Sequence, residues 1–340
     1  MKKAVQCELC PKACVIAPGQ SGECRIRVNI DGRLAAVTYG HPCSAHVDPV
    51  EKKPLFHFLP GTGILSLATV GCNLHCKNCQ NWEISQENPE NVAAKSLPPE
   101  QVPRVAKEAG CLSVAYTYTE PIAYYEYTLD SCMKVKEAGL KNVLVTAGYI
   151  NKAPWEDLCQ YVDAANIDVK AMSDQFYRDI AGGTLAPVLN SCIAARSLGV
   201  MVELTNLVIP TLNDSDEDIT KLCRWVAGNM GKETPLHFSR FFPHYQMKNL
   251  PPTPGKTLDR AREIALSEGL YNIYIGNISR EGAENTYCHV CGNLLVARRG
   301  YVVGQNHIRP RRAAAGPGGT RDLFTGECPF CNAEVFGLWQ

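Results

Sequence analysis

ILSLATVGCNLHCKNCQNW (64–82) joins the two patterns that decide how this chain reads. Its first seven residues form a short continuous apolar run, the mark of a strand buried on both faces. Directly after it come Cys72, Cys76 and Cys79 in a CxxxCxxC spacing. Similar runs follow at LSVAYTY (112–118), NVLVTAGY (142–149), ANIDVKA (165–171), VMVELTNLVI (200–209), LHFSRFF (236–242) and NIYIGN (272–277). Amphipathic stretches separate them, at 98–110, 120–139, 153–164, 186–199, 214–230 and 257–269. Several end in glycine, a helix stop, and Ser215 or Asp214 stands where an N-cap belongs. Apolar strands alternating with helices are parallel βαβ units. The expected fold is α/β, a partial or full (β/α) TIM-like barrel, with chemistry on the loops after the strand C-termini.

Working outward, the cysteines divide the 340 residues into 1–60, 61–285 and 286–340. The first part is a Cys-rich segment, the second the barrel core, and the third a Cys-rich segment of zinc-ribbon or rubredoxin type. Lys+Arg and Asp+Glu are both 34, so a zero formal charge gives no general claim on nucleic acid or an anionic membrane. Seventeen cysteines cannot all pair within one chain. The opening MKKAVQCELCPKAC lacks an apolar signal region, and no window reaches the apolar length of a membrane span. The expected compartment is the cytoplasm, where clustered thiols read as metal ligands or catalytic groups. The Arg/Gly/Pro stretch at 309–321 reads as a mobile, solvated surface loop.

Three thiolates within eight residues can wrap one compact soft-metal centre. A [4Fe–4S] cube ordinarily takes four cysteines, one per iron. Three leave one iron open to an outside ligand. The other reading is a zinc ion completed by His75, but His75 lies between two ligands and is awkwardly placed to point inward with both.

Here the sequence resembles the radical SAM superfamily. The resemblance implies that the open iron is chelated by S-adenosylmethionine. It also implies that an electron from the cluster, delivered by a donor such as a flavodoxin or ferredoxin, cleaves the sulfonium. The product is a 5′-deoxyadenosyl radical that abstracts hydrogen from a substrate, chemistry that is oxygen-sensitive. Asn78 departs from the aromatic residue common before the last cysteine, and Trp82 is a candidate to compensate in packing the adenine.

Later strands add polar groups. AYTYTEP (115–121) looks like the superfamily's Gly-Glu-Pro element, with Glu120 receiving the amino group of SAM and Tyr118 and Thr119 in place of glycines. In NIDVKA (166–171), Asp168 and Lys170 sit two apart and so face one way. The segment resembles the Asp-x-Lys of glycyl-radical-enzyme activases, which implies contact with the SAM carboxylate and ribose, or with a nearby cation. A structural salt bridge is the plain alternative. In VELTNLVIPTLND (202–214), Glu203 and Asn206 are the ribose candidates, with Thr205 a further one that faces differently. Asn213 and Asp214 build the turn. In HFSRFFPHY (237–245), His244 is a candidate for SAM or substrate and, with Lys170, for catalysis. Arg240 is a candidate carboxylate clamp, and His237 reads as a core histidine.

The flanks carry further thiols. Cys7, Cys10, Cys14 and Cys24 suggest a zinc knuckle or a second cluster. Cys288, Cys291, Cys328 and Cys331 form two CxxC knuckles suited to tetrahedral zinc, or to iron. His289 and His307 read as surface residues. Cys111, Cys132, Cys159, Cys192 and Cys223 read as apolar fillers, whereas Cys43, in a loop, is the single cysteine suspected of reactivity.

The order of these motifs, with DPVEKKPLFHFLPG (48–61) and PPTP (251–254), resembles nearly end to end the radical SAM protein family of the AmmeMemoRadiSam system. That family is related to pyruvate formate-lyase activating enzyme. The resemblance implies AMMECR-like and Memo-like partners but supplies no substrate; the expected hydrogen donor is an unidentified substrate, with a protein side chain as one class. Two alternatives accompany it: a glycyl-radical-enzyme activase, and a multi-metal binding or electron-transfer module without SAM chemistry.

Overall fold

A computed structural model describes residues 3–311 and 322–339. One eight-stranded sheet organises the chain: β1 (Ser44–Pro49), β2 (Gly63–Ala68), β3 (Ser113–Tyr116), β4 (Lys141–Thr146), β5 (Ala164–Asp168), β6 (Met201–Val208), β7 (Leu236–Arg240) and β8 (Ile273–Gly276). Spatial order follows chain order from β1 to β8. β1 pairs antiparallel with β2, and β2 to β8 pair in parallel. Because β1 and β8 are both edges, the barrel is partial and open.

The seven parallel strands are those read from the sequence, and their near-complete burial explains why their runs are continuous rather than alternating. Helices cover the outer face: α1 (Val102–Glu108), α2 (Tyr125–Glu137), α3 (Lys152–Cys159), α4 (Leu185–Ser197), α5 (Asp216–Asn229) and α6 (Gly255–Ser267). Ser215 caps α5 by accepting from the Asp218 N–H at 3.1 Å. Gly139 and Gly199 follow α2 and α4 with φ of +77° and +80°, the conformation that ends a helix. Among the described residues no helix is long and apolar enough to cross a membrane.

The sheet begins at Ser44, before the expected boundary at 60, and the C-terminus returns to its floor. Val50, Leu55, Phe58 and Leu59 pack with Phe336 and Leu338 against Ile64, Ala115, Val143, Ala164 and Met201, four of them at or near the starts of parallel strands. Phe58 and Leu338 form an isolated bridge. Of the stretch at 309–321, Arg309–Pro310 pairs with Gly326–Glu327, and 312–321 lie outside the described residues.

A polar network fills the barrel above this floor. His57 Nδ1 donates to the Phe336 carbonyl at 2.6 Å, and Nε2 accepts from the Tyr274 hydroxyl at 2.6 Å. Burial pushes the His57 pKa down from 6.5 to about 4. The folded value lies below the unfolded one, so the neutral ring's contribution is whole above pH 6.5 and is lost as pH falls toward 4. Stability against urea is expected to drop by roughly 3 kcal/mol across that window from this group. His57→Gln should flatten that part of the profile; a slope identical to that of the unaltered chain would refute the assignment.

Candidate functional site

The loop after β2 turns Cys72, Cys76 and Cys79 toward the open mouth of the barrel. Its backbone is fixed from outside: His75 N–H and Lys77 N–H donate to the carbonyls of Ala181 and Ile180 at 2.8 and 2.9 Å. Asn73 Nδ2 reaches the Tyr149 carbonyl at 2.7 Å. The three sulfurs line one cavity of about 530 Å³, within the range of small-molecule sites. Strand ends and loops bring Glu120, Thr146, Asp168, Lys170 and Thr205 to the same cavity.

Glu120 is buried, and burial pushes its carboxyl up. Oε1 accepts from the Thr146 hydroxyl at 2.5 Å and the Ile122 N–H at 3.2 Å, and Oε2 from the Ala147 N–H at 2.8 Å. Three of about four acceptor sites are used, leaving one for a donor in the cavity. Before it, Tyr118 takes φ +64°, the conformation a glycine adopts freely. Asn81 holds that backbone by donating to the Tyr118 carbonyl at 2.7 Å. The bulky replacement for the motif glycine therefore keeps the glycine's backbone. Its ring faces Lys53 Nζ at 4.2 Å, and its hydroxyl bonds Asp48.

Asp168 and Lys170 meet at 3.0 Å. Burial works against the Lys170 charge, but Asp168 and Cys76 outweigh it and hold the ammonium well above its ordinary pKa. Burial pushes the Cys72 thiol up, with help from Glu120 and the neighbouring thiols, and takes Cys76 to about 11.

Several expected residues lie elsewhere. Glu203 is fully buried one step deeper than Thr205, where it accepts from the His57 N–H at 2.7 Å and from His237 Nε2 at 2.6 Å. It does not line the cavity. Asn206 points outward and donates to the Val169 carbonyl at 2.8 Å, while Thr205 lines the cavity. His244 is absent from the lining; it precedes Tyr245, whose ring stacks on Trp82 at 5.2 Å. That stacking also engages Trp82 outside the cavity. Arg240 donates to the Thr253 carbonyl at 2.9 Å. His75 bonds Gln86 and Glu23 rather than joining the thiols. Cys43 donates to the Ala68 carbonyl, and burial pushes its thiol up, away from the thiolate a reactive cysteine needs.

Sequence reading missed Lys53, Asn277 and Tyr301 on the cavity wall. Lys53 comes from the connection between β1 and β2 and Tyr301 from the C-terminal part, so only tertiary folding reveals them. Lys53 is almost fully buried against Asp48 at 2.7 Å, and burial takes its pKa down to about 8.

Two further thiol groups flank the barrel. The sulfurs of Cys288, Cys291, Cys328 and Cys331 all lie within 4.8 Å of one another. The Cys288–Cys331 and Cys291–Cys328 separations are 3.6 and 3.7 Å, near the roughly 3.8 Å edge of a Zn–S4 tetrahedron with ~2.3 Å bonds. Among the described residues no other Cys, His or carboxylate group closes this tightly. The three loop sulfurs are thus not gathered around one small ion, and they border open space. A soft three-thiol set of that kind fits a multi-iron cluster with one corner left to an outside ligand.

The sequence profile of the radical SAM superfamily matches residues 66–225, from β2 into α5. Over 331 residues, the chain is 48% identical to the uncharacterized protein MJ0808 of Methanocaldococcus jannaschii, a match of 97% of this chain and 95% of that one. It is 28% identical over 158 residues to the pyruvate formate-lyase-activating enzyme of Clostridium pasteurianum, covering 45% of this chain and 64% of the enzyme. The radical SAM methyltransferase of Sphaerobacter thermophilus shares the fold at TM-score 0.50 and 16% identity, over 70% of this chain and 71% of that one. With its three-cysteine loop at the mouth of the matched barrel, this chain carries a radical SAM domain over residues 66–225, the domain of a family of iron–sulfur, SAM-binding enzymes.

Proposed function

We propose that the chain reductively cleaves S-adenosylmethionine and uses the resulting radical to take hydrogen from a substrate that includes protein side chains. The carrying observation is the convergence of Cys72, Cys76 and Cys79 with Glu120, Asp168 and Lys170 on one cavity. Cys72, Cys76 and Cys79 would hold a [4Fe–4S] cluster, which when bound supplies one electron to the sulfonium. Glu120 offers its remaining acceptor site to the SAM ammonium, a charge-assisted bond in a buried setting. Lys170 is the cation for the SAM carboxylate, with Asp168 orienting it. Thr205 takes the ribose-facing place expected of Glu203 and Asn206. The polar wall at Lys53 and Tyr301 faces the substrate side. The Cys288, Cys291, Cys328 and Cys331 set holds zinc.

The similarity to an activase supports a protein substrate and a one-electron donor such as a flavodoxin or ferredoxin. AMMECR-like and Memo-like proteins are the partners that the motif order implies. The deciding experiment is anaerobic reconstitution with iron and sulfide, EPR with and without SAM, and assay of 5′-deoxyadenosine. An unchanged cluster spectrum on adding SAM would leave the module without SAM chemistry as the better reading. Within the same assay, Glu120→Gln should retain its iron but bind SAM about 10- to 100-fold more weakly, the loss of one charged hydrogen bond. Equal SAM affinity would remove Glu120 from the site.

A further inference from the structure

The four N-terminal cysteines surround a cavity of their own. Cys7, Cys10, Cys14 and Cys24 all line it. The hairpin of Val5–Gln6 and Val15–Ile16 sets Cys7 against Cys14, whose carbonyl accepts from the Cys7 N–H at 2.9 Å. Between them the turn closes through Ala13 N–H to the Cys10 carbonyl at 3.1 Å. Cys24 arrives from the next turn. Cys7, Cys10 and Cys24 are buried, so the thiols face inward.

This arrangement differs from the C-terminal quartet. There the sulfurs stand at the spacing of one tetrahedral ion; here they do not close to that spacing, and a cavity lies between them. Four thiols held apart around a space suit a multi-iron core better than one zinc. The lining also carries a buried cation. Arg27 is only 8% exposed, and its two terminal nitrogens bind Glu126 at 2.7 and 2.8 Å. Its Nε is buried with no partner, beside Cys7 and Cys24. An unsatisfied buried N–H of this kind costs free energy unless an acceptor fills the space. A thiolate-ligated cluster is anionic and rich in sulfur acceptors.

We propose that Cys7, Cys10, Cys14 and Cys24 hold a second iron–sulfur cluster, a [4Fe–4S] centre with every iron closed by a thiolate and Arg27 donating to it. With no open iron it offers SAM no coordination site. Its place suggests its use. Asn73, which follows Cys72, lines this cavity too, and a Cβ added at Gly71 would meet the Cys24 carbonyl at 2.6 Å. The two ligand loops are therefore in contact. The closed cluster takes one electron from a low-potential iron–sulfur or flavin protein and passes it to the open one, returning to its oxidised state. This relay rests on the radical SAM reading above; the occupancy does not.

The test is iron, sulfide and zinc analysis of the full chain after anaerobic reconstitution, with EPR. The unaltered chain should hold about eight irons and eight sulfides and one zinc. A Cys72→Ala, Cys76→Ala, Cys79→Ala triple variant should keep about four irons, with an EPR signal that ignores SAM. A Cys10→Ser, Cys14→Ser variant should also keep about four, with a signal that shifts when SAM is added. About four irons in the unaltered chain, or a second zinc and no iron in the triple variant, overturns the proposal. Four irons in the triple variant, with no SAM response in the unaltered chain, would uphold this cluster and sink the proposed function instead.

Discussion

Cys76→Ala is expected to remove the central cluster and lower 5′-deoxyadenosine formation by at least ~10³-fold, to background, since two thiolates cannot anchor a cube that already lacks a fourth. The fold should survive. The loop is held by the His75 and Lys77 N–H bonds to Ala181 and Ile180 and by Gln246 N–H to the Lys77 carbonyl at 3.0 Å, all backbone contacts. The lost sulfur's hydrogen-bond contact is a long one, 4.0 Å to the Ala181 carbonyl, and its packing is at the edge of the core. With the central cluster absent from both, the variant should therefore unfold within about 1 kcal/mol of the unaltered chain. Iron analysis, the nucleoside assay and urea unfolding check the three parts separately. SAM cleavage persisting within tenfold would place the reacting centre elsewhere.

The contrast between what the sequence disclosed and what it hid has physical causes. Strands buried on both faces must be apolar throughout, so all seven parallel strands were legible. The edge strand β1, SAHVDP, is mostly exposed along its middle and carries His46, Asp48 and Pro49. It lies among residues poor in strand propensity and gave no such signal. The cysteine triad was legible because its spacing is local. Glu203 lies deeper than the cavity wall, and a period of two gives the face of a residue but not its depth. Glu203 and Thr205 share the inward face, yet one ends in the His57–His237 network and the other at the cavity. Asn206 has the opposite parity and serves the backbone of the β5 loop. Lys53 and Tyr301 are far from the triad in sequence, so nothing local links them to it.

The C-terminal quartet should matter to the barrel as much as to its own segment. Cys328→Ser is expected to lower the stability of the whole chain by at least about 4 kcal/mol, a part of what a structural metal supplies to a small domain. Cys328 is fully buried and packs with Leu295, Val296, Ile308 and Trp339. The strand after it leads into Phe336 and Leu338, which close the barrel floor against Phe58 and Leu59. Leu338 N–H donates to the His57 carbonyl at 2.8 Å, and the Leu338 carbonyl accepts from the Leu59 N–H at 2.8 Å. Arg298, between the two knuckles, donates to the Phe56 carbonyl and to Thr286 inside the same buried network. Loss of a metal held by the quartet would thus free the floor as well as the knuckles, and the fully buried Arg298–Glu51 pair would lose its enclosure. Thermal unfolding should fall by about 5 to 10 °C, with hydrogen exchange accelerating at residues 56–59 as well as at 328–338. A zinc chelator should reproduce the loss in the unaltered chain and add little to the variant. Exchange confined to the C-terminal segment, with the barrel melting unchanged, would show that the floor stands without its metal-stapled strand.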